Sequence, residues 1–322
     1  MDGQDTLAEE LKLLEGGAGR RPLGRDVLLR VTGKGHLEVL QRVVTQDVLR
    51  IQSGEGALAL LLAAKGQIRE ILAVFVDTEQ SWALSPPGRA AKIAHSLNTY
   101  LRLSRCEAEP VQAAGVVAVL GGGWREAVRA ASGASLSKGG WCAAAEALWF
   151  GETLLGVPGA VAVALTPEAL ATLDTRLDAV GVRSLSAEAV ELARIRVGFP
   201  AWGAELNGTV LSPEVRIDDQ AISDSKGCYV GQETIARLRT YGHPTRGLVG
   251  VHQRGGSLEM PALPLALSKL REEKARGSLT SWARHPEKGG VGLALVRREL
   301  MEPGTELLGD GRVFEVTSLP LW

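Results

Sequence analysis

Apolar residues in the first hundred positions fall into alternating blocks of strand and helix character. Residues 26–31 read as a strand. Leu37, Leu40 and Val44 lie at helical spacing within 36–44, behind Gly33 and Gly35. The runs 57–63 and 68–76 form a hairpin pattern turning at Lys65-Gly66. Pro86 and Pro87 open a helix in which Ile93, Leu97, Tyr100 and Leu101 share a face. The order then returns with a strand over 116–120, a helix over 124–131, a weakly patterned stretch to Phe150 and a strand over 161–165. A helix follows with Thr166 as N-cap, Pro167 at its first position, Leu170, Leu173, Leu177 and Val180 on one face, and Gly181 behind it. The two units read as distant structural repeats, without repeated residues.

Ser186 caps a helix over 187–197, with Leu185 and Val190 in staple positions. A loop-rich stretch runs from Pro200 to Lys226, and a short helix over 232–240 turns Ile235 and Leu238 inward. From Gly247 the pattern changes to short strands over 247–253, 275–281, 291–297, 306–308 and 312–319, which suggests a small closed β unit. The expected fold class is α+β. It comprises a polar tail over 1–20, a two-unit region over 21–246 and a C-terminal β-barrel over 247–322.

Length and composition leave this picture intact. The 322 residues suit two or three packed units, and a formal charge of -1 gives no electrostatic reason to expect direct nucleic-acid binding. Cys106, Cys142 and Cys228 form no C-x-x-C pair, so reduced thiols are the simpler reading. The start lacks a signal-peptide layout and no apolar run approaches a membrane span, so a cytoplasmic location is expected.

The densest chemistry lies at Lys226-Gly227-Cys228-Tyr229-Val230-Gly231-Gln232-Glu233. A thiol reacts as thiolate, which a cationic neighbour or a helix N-terminus favours. Lys226 and the helix start near Gln232 are the candidates for these roles at Cys228. Gly227 and Gly231 permit tight turns or close approach. The bland alternative is a buried apolar cysteine beside a core tyrosine. Gln232 and Glu233 either orient a ligand or merely begin a helix. Gly121-Gly122-Gly123 reads as a plain turn rather than a phosphate cradle, and His243 as an exposed turn residue rather than a base for Cys228. Among Trp141, Trp149, Trp202 and Trp282, only Trp202, in the loop after Pro200, draws interest as a ring-stacking residue.

The eight-residue box resembles the K-G-C-Y-x-G-Q-E signature of the YgfZ family, a branch of the glycine-cleavage T-protein superfamily. Arg194-Ile195 with Gly198 and Pro200, the run Gly277-Ser278-Leu279-Thr280-Ser281 with Gly292-Leu293-Ala294-Leu295-Val296, and Leu40-Gln41 with Thr45-Gln46-Asp47-Val48 also resemble superfamily segments. The resemblance implies two related α+β units around a central folate-binding opening, capped by a C-terminal β-barrel. It further implies tetrahydrofolate or a related folate as ligand, and iron–sulfur enzymes or cluster-assembly proteins as partners. On this resemblance Cys228 and Lys226 carry the chemistry. Arg194, Arg196, Gly198, Trp202, Tyr229, Gly231, Gln232 and Glu233 are the ligand-binding candidates. Arg69-Glu70 stands where the T-protein branch has an acidic pair, which argues against aminomethyl transfer. Arg196 stands where the family commonly has a pterin-holding glutamate, which implies weak folate binding because arginine only donates. Three cysteines cannot supply the four thiolates usual for a cluster, so any cluster would be shared with a partner. The alternatives are a folate-dependent one-carbon transferase and a binding module whose thiol is incidental.

Overall fold

The computed structural model describes residues 3–322 and shows two α+β units followed by a closed barrel. The chain starts with α1 (Gly3–Gly16) and β1 (Gly19–Pro22). The first unit comprises β2 (Leu28–Thr32), α2 (His36–Val43), β3 (Gly56–Leu62), β4 (Ile68–Phe75), β5 (Gln80–Leu84), α3 (Ala90–Leu101) and β6 (Glu107–Pro110). The second comprises β7 (Gly115–Leu120), α4 (Trp124–Ser132), β8 (Trp141–Ala144), β9 (Ala147–Phe150), β10 (Gly159–Ala164), α5 (Pro167–Ala179) and β11 (Arg183–Ser184). Strand order is β3-β4-β5-β2-β6 in the first sheet and β8-β9-β10-β7-β1-β11 in the second. Both units therefore follow one plan, with β1 inserted beside β7 in the second.

Alternation along the strands sets the layers. Leu58, Leu60 and Leu62 of β3 face a central core, while Ala59 and Leu61 face α2 and α3. In β7, Val116, Ala118 and Leu120 face the same central core, while Val117 and Val119 face α4 and α5. Two sheets thus face each other with helices outside, and Phe75 meets Phe150 across them at 4.9 Å between ring centroids. Strands buried on both faces read as continuous apolar runs, which is why 57–63 shows so little polar punctuation.

α6 (Ala187–Val197), α7 (Asp218–Ala221) and α8 (Gln232–Tyr241) lead to β12 (Arg246–Gly255), β13 (Leu265–Lys269), β14 (Ala275–His285), β15 (Gly289–Arg297), β16 (Glu306–Gly309) and β17 (Arg312–Thr317). These six strands close as β12-β15-β14-β13-β16-β17. The α+β class with a small C-terminal barrel is the architecture observed. Among the described residues no helix is long and apolar enough to cross a membrane.

Several local expectations need correction. Of the polar tail expected over 1–20, residues 1 and 2 lie outside the described residues and the rest forms α1 and the start of β1, because Leu7, Leu11 and Leu14 recur at helical spacing and pack against the central core. The weakly patterned stretch before Phe150 is the β8–β9 hairpin, and β5, β6 and β13 add strands that the pattern left unmarked. Tyr100 and Val180 are exposed rather than inward, and Val180 stands just past the end of α5 as its C-cap.

Candidate functional site

Residues 223–230 have no regular secondary structure, and tertiary bonds orient them. Lys226 is buried. Its ammonium donates to the backbone carbonyls of Gln41 at 2.6 Å, of Val44, and of Gln46 at 3.0 Å, across some 180 residues of chain. The receiving loop is itself pinned. Gln41 Nε2 donates to Asp47 Oδ1, the Val48 N–H donates to Gln41 Oε1, and Thr45 Oγ1 donates to the Ala221 carbonyl at 2.6 Å. Two segments singled out separately in the sequence are therefore one structural unit. Burial pulls the Lys226 pKa from 10.5 to about 8, with nearby Asp47 opposing.

The lysine ammonium bonds to carbonyls, so its role in the box is positional. Tyr229 lies over it, with the ammonium 5.2 Å from the ring centroid, and burial raises the phenol pKa. Gly231 caps α8 at φ 83°, and a Cβ there would stand 2.5 Å from the Ala63 carbonyl, so the box presses on the β3–β4 turn through a glycine. Cys228 is exposed at the bend so formed, whereas Cys106 is buried and Cys142 half-buried. Gln232 and the exposed Glu233 begin α8.

Replacing Lys226 by methionine should cost about 2 to 4 kcal/mol in urea unfolding, because three carbonyls lose a charged donor. The pH dependence is a second signature. Between about pH 8 and 10 the unfolded lysine keeps a proton that the folded one has released, so wild-type stability rises with pH relative to Lys226→Met. A constant difference across that window would contradict the assigned burial.

A separate cleft of about 530 Å³ opens between the two units. Val197, Gly198, Phe199 and Pro200 line it after α6, with Trp124, Arg125, Lys138, Glu152, Arg216 and Gln220 among the other wall residues. It adjoins a space of about 320 Å³ against Gly56, Ala57, Ala73 and Phe75, and the two share Leu58, Lys138, Glu152 and Gln220. Of the site residues named from sequence, Gly198 lies in this wall. Its φ of 76° ends α6, and a Cβ would meet Leu319 at 2.5 Å. Lys226, Cys228, Tyr229, Gly231, Gln232 and Glu233 belong to the box instead. The two places connect through Gln220, which lines the cleft and stands next to Ala221, the acceptor of Thr45.

The remaining candidates have structural partners. Arg194 is buried and donates to Glu191, Glu205, the Phe199 carbonyl and Ser281, joining α6 to the barrel. Burial alone would lower its pKa, but the Glu191 and Glu205 carboxylates outweigh that and raise it. Arg196 turns away from the cleft, donating to the Trp322 carbonyl and to Glu15 of α1. Trp202 stacks on Arg89 at 4.0 Å, and Arg89 pairs with the buried Glu70, whose pKa burial raises against the pull of that arginine. Arg69 is exposed.

Trp141 joins the inter-sheet aromatic cluster, Trp149 is fully buried, and Trp282 donates to Gln253. Gly122 and Gly123 donate to the Leu14 and Gly17 carbonyls at the end of α1, so the glycine run is a docking turn. His243 is exposed. Among the described residues no group of three or more His, Cys, Asp or Glu could hold a metal ion. Sequence reasoning missed Trp124, Arg125, Lys138, Glu152, Arg216 and Gln220. They come from the start of α4, from α7 and from separate connecting segments, and share no local pattern.

The architecture is that of the aminomethyltransferase T fold. The crystal structure of glycine cleavage system aminomethyltransferase T from Bartonella henselae superposes with a TM-score of 0.83 at 18% identity, over 98% of this chain and 89% of that one. At this identity the likeness concerns the fold. Heterotetrameric sarcosine oxidase from Corynebacterium sp. U-96, in complex with pyrrole 2-carboxylate, overlaps at a TM-score of 0.37 and 13% identity, covering 56% of this chain and 94% of that one. In sequence, the Arabidopsis thaliana protein named "Putative transferase At1g60990, chloroplastic" is 31% identical over 160 residues. That alignment spans 48% of this chain and about a third (35%) of the relative's length. No family model matches the chain.

Proposed function

We propose that this protein is a folate-binding accessory protein of the YgfZ type, acting in the cytoplasm on iron–sulfur enzymes or their assembly proteins through Cys228. The observation that carries the reading is the exposed thiol on a loop whose neighbouring lysine is buried and anchored by three carbonyls. Such a loop displays a cysteine at fixed position to a partner, where its thiolate is available as a nucleophile or a metal ligand.

The cleft is of a size suited to a small-molecule ligand. A pterin's N–H groups require acceptors, and the wall offers Glu152 and Gln220. Glu152 Oε1 accepts from the Thr153 N–H at 2.8 Å, and among the described residues Oε2 has no partner. The residues present therefore fit a folate, with Glu152 as the acceptor in place of the residue at 196. When bound, a tetrahydrofolate supplies a reduced pterin able to carry a one-carbon unit.

Aminomethyl transfer is the less supported alternative. The carboxylate of Glu70 is enclosed in its ion pair with Arg89 under the Trp202 ring, which removes it as a free acid or base. Titration of the purified protein with tetrahydrofolate should show saturable binding. An assay with the other glycine-cleavage components should form no methylene-tetrahydrofolate above background. Turnover at rates typical of the transferase would overturn the accessory reading, and absence of folate binding would remove the ligand from it.

A further inference from the structure

Thr45 is fully buried between α2 and the short turn Val48–Arg50, and each of its polar groups is engaged by another segment of the chain. Its N–H donates to the Leu60 carbonyl of β3 at 3.1 Å. Its hydroxyl accepts from the Leu60 N–H at 2.8 Å and donates to the carbonyl of Ala221, the last residue of α7. Its carbonyl accepts from the Ser223 N–H at 3.1 Å. One residue thus ties the middle of β3 to the start of the loop that carries Cys228.

Both β3 and α7 reach the central cleft. Leu58, two residues before Leu60, lines it, and so does Gln220, the residue before Ala221. Gln46 Nε2 adds a bond to the Leu58 carbonyl at 3.3 Å. The carbonyls of Val44 and Gln46, on either side of Thr45 in the chain, receive the Lys226 ammonium together with that of Gln41. The chain neighbours of Thr45 therefore form the seat of Lys226, while its bonded partners stand one or two residues from the cleft wall.

Resting on the folate reading above, we propose that Thr45 is a positioning residue that couples occupation of the cleft to the seating of Lys226, and so to the placement of Cys228. A ligand held against Leu58 and Gln220 braces β3 and α7. Thr45 passes that constraint to the carbonyls beside it, and the lysine leaves its seat less often. The coupling is reciprocal, so the factor by which the ligand favours the seated loop is the factor by which the seated loop favours the ligand. A filled cleft then holds the thiol most firmly in place for a partner.

The test labels the full chain with an amine-reactive N-hydroxysuccinimide ester, with and without saturating 5-formyltetrahydrofolate, and follows the Lys226 peptide by mass spectrometry. A buried amine reacts only when it leaves its seat, so bound ligand should slow Lys226 labelling at least about fivefold and leave the exposed Lys269 of β13 unchanged. Lys226→Met should in turn weaken binding of 5-formyltetrahydrofolate by a similar factor, although residue 226 is not part of the cleft wall. Thr45→Val keeps the branched shape without the hydroxyl, and should bind the ligand while losing its effect on Lys226; Thr45→Ser should retain that effect. Binding that leaves either Lys226 labelling or the affinity of Lys226→Met unchanged would overturn the coupling and leave the folate reading standing. Absence of binding would overturn both. A slowing that survives in Thr45→Val would remove Thr45 from the proposal, and if that variant does not fold, the wild-type labelling and the Lys226→Met affinity still decide.

Discussion

Cys228→Ser should fold like the wild type and fail to restore iron–sulfur enzyme activity in a strain lacking the protein. The exchange is nearly isosteric at an exposed position, so no packing is lost. Serine is a far poorer nucleophile and metal ligand than a thiolate at neutral pH. A second readout concerns the thiols themselves. Burial raises the Cys106 pKa, with Glu38 adding to the effect, and burial alone raises that of Cys142. An alkylating reagent should therefore label Cys228 at least about tenfold faster than either. Full rescue by the serine variant, with soluble protein confirmed, would remove the thiol from the function.

Arg194→Met should destabilise the protein by about 3 to 5 kcal/mol, because it strands a fully buried carboxylate. Glu205 accepts from Arg194, from the Ala201 N–H at 2.9 Å, from Thr280 at 2.6 Å and from Ser281 at 2.7 Å. The pair thus links α6 and the loop after it to β14 of the barrel. Removing both charges in Arg194→Met/Glu205→Leu should recover part of the loss, since no uncompensated ion then remains. Additive losses in urea unfolding would mean that the two residues act independently, against the geometry described here.

Much of the architecture was legible because it follows from local periodicity. The β3–β4 hairpin, the Thr166-capped α5 and the short strands after Gly247 each carry their own pattern. The insertion of β1 beside β7 was not legible, since Gly19–Pro22 is four residues long and its pairing is settled by a partner about a hundred residues away. The box shows the same limit at the site. Proximity in sequence makes Lys226 the cationic neighbour of Cys228, but the stretch between them is irregular and the two diverge, one buried and one exposed. Arg196 was assigned to a ligand by its position in a motif, while its direction is set by Glu15 and Trp322, the first of which lay in a segment read as a tail. The cleft's cations come from the start of α4 and from two connecting segments with no shared spacing, so only their convergence in space marks them.

The closed barrel bears on how the molecule is made. Its first strand, β12, pairs with its last, β17, through partners such as Val251 and Val316. During synthesis the two α+β units can be complete while the barrel is still an open sheet, with one side of β12 and one side of β16 unpaired. Such edges are templates for pairing with other chains. Arrival of Arg312–Thr317 covers both edges at once, and the bond from the Leu321 N–H to the Arg196 carbonyl then fastens the closed barrel to α6. A nascent chain stalled ahead of Arg312 would leave both edges available to neighbouring polypeptides, so the short segment Arg312–Thr317 has a disproportionate share in keeping the product monodisperse.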